Sequence, residues 1–118
     1  MRTKLPLVLA LWLAAVAAHA GPQDFTLVNY TGADIREVYI SPSGVKEWGK
    51  DVLRADTLPD GGRVRIRFTV PPNIRNWDLR TVSKGGQGHV WYKLDLLKIT
   101  TVTLRYNVAT KRWNAQCQ

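Results

Sequence analysis

Three arginines alternate with apolar residues in one short stretch of the sequence. Arg63, Arg65 and Arg67 are separated by Val64 and Ile66, a period of two that is typical of a β-strand with one apolar face. Side chains two positions apart on such a strand stand about 7 Å apart, and planar guanidinium groups bind phosphate, sulfate or carboxylate through paired hydrogen bonds. The stretch predicts a ridge that binds an anionic envelope polymer or an acidic protein. The alternative is structural, because charges on an edge strand prevent aggregation and keep a domain soluble.

Catalytic chemistry has weaker support in the sequence. His89 is the only histidine after residue 20, and it follows a glycine-rich stretch with no nucleophile motif beside it. Carboxylates perform glycoside hydrolysis only when two of them face each other across a cleft. The available aspartates are Asp51, Asp56, Asp60, Asp78 and Asp95. We predict no catalytic residue, metal or cofactor, so the chain is expected to be a binding module; a small secreted hydrolase and an inhibitor of another exported enzyme are the alternatives.

The first twenty residues predict where the protein works. A basic start at residues 1–4 precedes an apolar run at residues 5–17 and the small-residue pattern Ala18-His19-Ala20, which together are typical of a secretory signal peptide. The run is shorter than the roughly 20 apolar residues that span a bilayer, so no transmembrane anchor is expected. Removal of residues 1–20 takes Arg2 and Lys4 with it and lowers the net charge from +8 to +6. We expect a basic periplasmic or secreted monomer without a nucleic-acid partner.

The remaining residues, 21–118, are predicted to form a single all-β domain. Period-two patterns between closely spaced turns predict a small antiparallel β-sandwich of about seven short strands. The first strand begins at Phe25 and is expected to form a hairpin with the second. The later strands are predicted at residues 35–41, 63–68, 77–82, 89–94, 99–106 and 111–115.

One segment departs from the strand pattern, and two groups of residues are predicted to fill the core. Residues 45–53 place apolar side chains at helical spacing, which predicts one helical turn packed on a sheet.

The apolar sides of the strands predict an inter-sheet core of Val64, Ile66, Phe68, Leu79, Val102 and Leu104. The expected large anchors are Trp48, Trp77, Trp91 and Trp113. The single cysteine of the chain, Cys117, has no intramolecular partner, and pairing between chains stays open.

Several short motifs resemble a family of small exported bacterial domains with no established activity. They are Leu27-Val28-Asn29-Tyr30-Thr31-Gly32, Glu37-Val38-Tyr39-Ile40-Ser41-Pro42-Ser43, Trp48-Gly49-Lys50-Asp51-Val52-Leu53, Leu58-Pro59-Asp60-Gly61, Trp77-Asp78-Leu79-Arg80 and Leu94-Asp95-Leu96. Many members carry cysteines where this chain has Arg75 and Leu97, so the disulfide that the resemblance implies is absent. Some relatives bear the label argininosuccinate lyase. That enzyme is a large helical tetramer, and this chain has neither its length nor its helical periodicity.

Overall fold

The computed structural model describes residues 24–67 and 74–118. The predicted signal peptide at residues 1–20 and Phe68 of the predicted core lie outside these ranges. The described residues form seven strands and contain no helix, so the all-β prediction is confirmed. The strands are β1 (Phe25–Tyr30), β2 (Ile35–Pro42), β3 (Arg63–Ile66), β4 (Asn76–Ser83), β5 (Gly88–Asp95), β6 (Thr101–Asn107) and β7 (Arg112–Cys117).

The strands form two sheets that pack as a β-sandwich. One sheet has four strands in the order β3-β1-β6-β7, and the other has three in the order β2-β4-β5. Neighbouring strands are antiparallel except for β1 and β6, which run parallel. β4 and β5 form the hairpin that the glycine-rich stretch predicts. The predicted hairpin of the first two strands is wrong, because β1 and β2 belong to different sheets.

A buried asparagine turns the chain from the first sheet to the second. The Asn29 side-chain nitrogen donates to the carbonyl oxygens of Ala33 and Leu58, at 2.8 and 3.0 Å. Its oxygen accepts from the Thr31 backbone N–H at 3.0 Å and from the Thr31 hydroxyl at 2.7 Å. Asn29 is fully buried, and its bonds to Leu58 and Thr31 form away from water, where losing a partner is most costly. The asparagine therefore fixes the crossover in place of a two-strand hairpin.

The core between the two sheets largely matches the predicted set. Ile66, Leu79, Val102 and Leu104 are buried, and Val64 is half-buried against them. Further buried members come from both sheets and from the connecting loops: Phe25, Leu27, Ile35, Val38, Leu53, Leu58, Trp77, Trp91, Leu94 and Leu96.

The four tryptophans that were named as anchors divide into three that pack on the core and one that does not. Trp77 and Trp91 are buried, and Trp113 is half-buried against the cluster. Trp48 lies in the loop between β2 and β3 and contributes to a shallow surface cavity with Tyr92. Trp48 was expected to anchor the core because of its size, but the loop that carries it places it at the periphery.

The predicted helical turn at residues 45–53 is also wrong. Gly49 has a φ of 73°, in the left-handed region that a right-handed helix cannot use. The Asp51 carboxylate accepts the backbone N–H groups of Val38 and Leu53, at 2.9 and 3.0 Å. Because these contacts satisfy the backbone of the segment without a helix, it forms an irregular loop held against β2.

One ion pair lies near Arg75 and Leu97, the positions at which the resemblance implies cysteines. Arg75 Nε lies 3.5 Å from an Asp95 carboxylate oxygen, and the Leu96 N–H donates to the Arg75 carbonyl oxygen at 3.1 Å. The start of β4 is thus held to the end of β5 without a covalent bond.

Within residues 24–67 and 74–118, the structure contains no helix with the length and apolar character that a membrane span requires.

Candidate anion-binding face

The three predicted arginines lie at one edge of the four-stranded sheet. Arg63 and Arg65 are exposed on β3. Ile66, which follows Arg65, is buried against the core. Arg67 is also exposed, but it follows the last residue of β3 and is not part of the strand. The Arg65 Nη1 atom lies 3.4 Å from the Thr26 hydroxyl oxygen on β1. The guanidinium group of Arg65 therefore leans across the outer surface of the sheet.

Two further arginines, which sequence reasoning missed, lie on the outer surface of the same sheet. Arg105 on β6 and Arg112 on β7 are exposed, and both alternate with residues that face the core. The Arg105 guanidinium lies 5.0 Å from the centre of the Tyr30 ring, its neighbour across the β1–β6 ladder. A signal for them was available, because no acidic residue follows Asp95 in the sequence.

We call the outward side chains of Arg63, Arg65, Arg105 and Arg112 the arginine face. The strands of the four-stranded sheet carry these four arginines and no aspartate or glutamate. Within the described parts of the chain, the ion pair of Arg75 does not involve this face, and no carboxylate lies within 4.0 Å of its guanidinium groups. The face is therefore cationic without internal neutralisation.

A cavity of about 530 Å³ opens at one end of the arginine face. It lies beside the β6–β7 hairpin, where Tyr30, Arg105 and Asn114 are aligned across β1, β6 and β7. This volume is within the usual range for small-ligand sites, roughly 300–1,000 Å³. The lining residues are Tyr30, Arg105, Tyr106, Asn107, Thr110, Arg112, Trp113 and Asn114.

An aromatic cluster joins the edges of the two sheets behind this cavity. The His89 ring stacks on Trp113 with centroids 4.7 Å apart, and it meets Trp91 edge-on at 4.5 Å. Tyr106 lies against the other rings, 4.6 Å from Trp113. Burial lowers the pKa of His89 below its usual value, so the ring is neutral at pH 7. His89 is the second residue of β5 and packs against two indoles.

The aspartates bind backbone groups at separate places in the fold. Asp78 accepts the Ser43 hydroxyl at 2.7 Å and the Lys93 N–H at 3.0 Å, where β5 is irregular and Lys93 has a φ of 57°. Asp60 accepts the Gly32 N–H at 2.9 Å, and Asp51 supports the loop after β2. These contacts give the carboxylates structural roles, because each satisfies a backbone donor in a turn or bulge.

The remaining candidate groups are possible metal ligands and the cysteine. Among the described residues, no three histidine, cysteine, aspartate or glutamate side chains come together as a metal site. Cys117 is exposed and is the last residue of β7.

Comparison with known proteins identifies the fold alone. No family model matches the sequence, and no curated protein matches it. The chain is similar in structure to a protein from Eubacterium rectale solved by NMR, with a TM-score of 0.57 and 14% sequence identity. The likeness covers 80% of this chain and 85% of the other. At that identity the comparison supports the β-sandwich architecture and carries no functional assignment.

Proposed function

We propose that this protein is an exported binding module that holds an anionic envelope polymer on its arginine face. The observation that carries the proposal is the outer surface of the four-stranded sheet, where four exposed arginines have no carboxylate partner among the described residues. Each guanidinium group has five N–H donors in a fixed plane. Donors that are not used within the fold remain available to phosphate, sulfate or carboxylate groups of a ligand.

The spacing of the arginines suits a polymer better than a single small anion. Arg63 and Arg65 are two positions apart on β3, so their side chains stand about 7 Å apart. Arg105 lies two strands away from β3 in the sheet order, which adds about 10 Å sideways at the usual strand separation. One compact anion cannot bridge such distances. A chain with repeating anionic groups can contact several guanidinium groups in succession.

Protection of a sheet edge does not explain the whole arginine face. β3 and β7 are the two edges of the four-stranded sheet, and charges on Arg63, Arg65 and Arg112 would discourage strand addition there. Arg105, however, lies on β6, which is hydrogen-bonded on both sides. Because an interior strand has no free edge to protect, Arg105 favours a binding role.

The enzymatic alternative has less support than binding. His89 contacts the rings of Trp91 and Trp113, and Asp51, Asp60 and Asp78 accept bonds from the protein's own backbone or hydroxyl groups. A small hydrolase would need a base and a nucleophile that converge on one substrate atom. An inhibitor of another exported enzyme would need one acidic patch on that enzyme, whereas arginines spread over several strands of the sheet suit a repeating anionic polymer better.

Retention on immobilised heparin across a salt series tests the proposal. We expect the triple variant Arg63→Gln, Arg65→Gln, Arg105→Gln to elute at lower salt than the wild type. Binding that releases condensed counterions has a salt slope proportional to the number of neutralised charges. If all three arginines contact the polymer, the slope falls by about 2 to 3 units, by analogy with nucleic-acid binding.

The three-stranded sheet supplies a matched control. The variant Arg36→Gln, Arg80→Gln, Lys93→Gln removes the same number of positive charges from β2, β4 and β5. We expect it to keep most of the wild-type retention, with thermal unfolding confirming that both triple variants fold. Equal losses for both variants would mean that net charge alone governs retention. No loss for either would leave the arginines with a structural role.

A further inference from the structure

The cavity beside the β6–β7 hairpin aligns an aromatic ring, a guanidinium group and an amide. The ladder register places Tyr30 of β1 beside Arg105 of β6, and Arg105 beside Asn114 of β7. Neighbouring strands are about 4.8 Å apart, so the row extends over about 10 Å. Tyr30 is 41% exposed, and the other two side chains are exposed as well. A ligand can reach all three groups from the same side of the sheet.

The cavity has two charged groups, and one of them rests on an aromatic ring. The Arg105 guanidinium lies 5.0 Å from the Tyr30 ring centre, a distance at which a cation is attracted to the ring face. This contact holds the Arg105 guanidinium group over the Tyr30 ring. Arg112 pairs with Asn107 in the next row of the ladder. Two cationic groups therefore flank the neutral ones.

The neutral groups of the cavity both donate and accept hydrogen bonds. The Asn107 oxygen accepts the Thr110 N–H at 3.1 Å, which shapes the hairpin turn and leaves the Asn107 amino group for a ligand. The Asn114 side chain makes no hydrogen bond to the described residues, and Asn114 and Thr110 are both exposed. Amides and hydroxyls pair best with groups that also donate and accept.

We infer that this cavity binds one sugar unit of an acidic polysaccharide, so that the anionic polymer of the proposed function is a glycan. The inference rests on that proposed function. Sugar hydroxyls satisfy the amide and hydroxyl groups, a carboxylate or phosphate on the sugar pairs with Arg105 or Arg112, and the C–H groups of the ring pack on the aromatic residues. A polymer of bare anionic groups would meet only the arginines. An acidic peptide would likewise offer few hydroxyls to Asn114 and Thr110.

Two probes with one carboxylate per unit separate these ligands. Polygalacturonate carries hydroxyls beside each carboxylate, whereas poly-glutamate carries none. At equal ionic strength and equal carboxylate concentration, we expect the protein to bind polygalacturonate about tenfold more tightly, the gain expected from one or two additional hydrogen bonds. Asn114→Ala should remove this preference without changing the salt slope, and Thr110→Val should reduce it. Gln116→Ala is the control, because Gln116 is exposed on the same side of β7, opposite Thr103 and outside the cavity.

The results of these binding experiments distinguish the glycan inference from the proposed function on which it rests. Equal binding of the two polymers, lost in Arg63→Gln, Arg65→Gln, Arg105→Gln, would overturn the glycan inference and keep the proposed function. A preference for polygalacturonate that survives both Asn114→Ala and Thr110→Val would show that the sugar binds elsewhere. Binding of neither polymer, or binding that ignores the arginines, would overturn both.

Discussion

The outer face of the four-stranded sheet differs from that of the three-stranded sheet in how its charges are arranged. The strands of the three-stranded sheet carry three basic residues, Arg36, Arg80 and Lys93, and three acidic ones, Glu37, Asp78 and Asp95. The strands of the four-stranded sheet carry four arginines and no acid. The two sheets share one apolar core, and all of these charged residues except the buried Asp78 are at least partly exposed.

The local contacts show the same contrast. On the three-stranded sheet, the Arg80 guanidinium lies 5.5 Å from the Tyr39 ring centre, and the Tyr39 hydroxyl donates to Glu37. This hydrogen bond is the main reason why the pKa of Tyr39 is raised. On the four-stranded sheet, the guanidinium groups meet a hydroxyl and an aromatic ring. Like charges without partners repel and contribute nothing to folding, which favours a role in binding.

The largest effect is expected for the core that both sheets share. Leu79 on β4 and Leu104 on β6 are both fully buried, so Leu79→Ala and Leu104→Ala should each lower the free energy of unfolding by about 2–5 kcal/mol. Urea denaturation measures both. A loss below about 1 kcal/mol in one variant only would mean that the corresponding sheet does not pack as described.

A smaller but still large effect is expected where the chain crosses between the sheets. Asn29→Ala removes four hydrogen bonds from a fully buried side chain and takes away the acceptor of the Thr31 N–H, which should cost about 1–3 kcal/mol. Asn114→Ala is the comparison, since Asn114 is exposed on β7 and should change stability by less than about 0.5 kcal/mol. Equal effects of the two substitutions in chemical denaturation would contradict the crossover described for Asn29.

His89 should make stability depend on pH at the junction of the two sheets. Burial lowers its pKa from the usual 6.5, so the unfolded chain binds a proton more readily than the folded one. The contribution of His89 is therefore present above pH 6.5 and is lost as the pH falls toward the folded-state value. We expect the wild type to lose more stability than His89→Phe between pH 7.5 and 5.5. Parallel curves for the two proteins would contradict this assignment, since contributions from the carboxylates are common to both.

The smallest effect is expected for the arginine face itself. Replacement of Arg63, Arg65 and Arg105 by Gln relieves repulsion and breaks no ion pair among the described residues. It also removes the Arg105–Tyr30 contact, worth about 0.5–1 kcal/mol at an exposed site, so thermal stability at low salt should stay close to that of the wild type. Added salt screens the repulsion, so the part of any difference that comes from repulsion should disappear at high salt. A clear loss of stability would indicate that these arginines hold the sheet together.

The strands were predictable because their signal is local. Alternation in residues 63–66 places Ile66 in the core and Arg63 and Arg65 outside, and burial confirms it. Sheet membership was not predictable in this way, because pairing depends on contacts between distant segments. The β1–β6 ladder joins residues such as Leu27 and Val102, and nothing in the local pattern of either strand specifies the other.

The errors of the sequence analysis also have local physical causes. The spacing of Val45, Trp48 and Val52 matches that of a helix. Gly49, however, has a left-handed backbone conformation, and the Asp51 carboxylate accepts nearby backbone N–H groups without a helix. For the site, alternation identified the arginines of β3 and missed Arg105, although Arg105 follows the same rule. Its importance depends on the absence of acidic residues across four strands, which becomes visible only when the strands are assembled into a sheet.

An NMR titration of the ¹⁵N-labelled protein with polygalacturonate tests the central claim most directly, because it reports the binding surface without any substitution. We predict amide shift changes concentrated on the four-stranded sheet, at Arg65, Thr103, Arg105 and Asn114, that shrink as salt is added. The outer face of the three-stranded sheet, represented by Glu37, Tyr39 and Arg80, should stay unchanged. Shift changes centred on that sheet, or spread equally over both, would contradict the account.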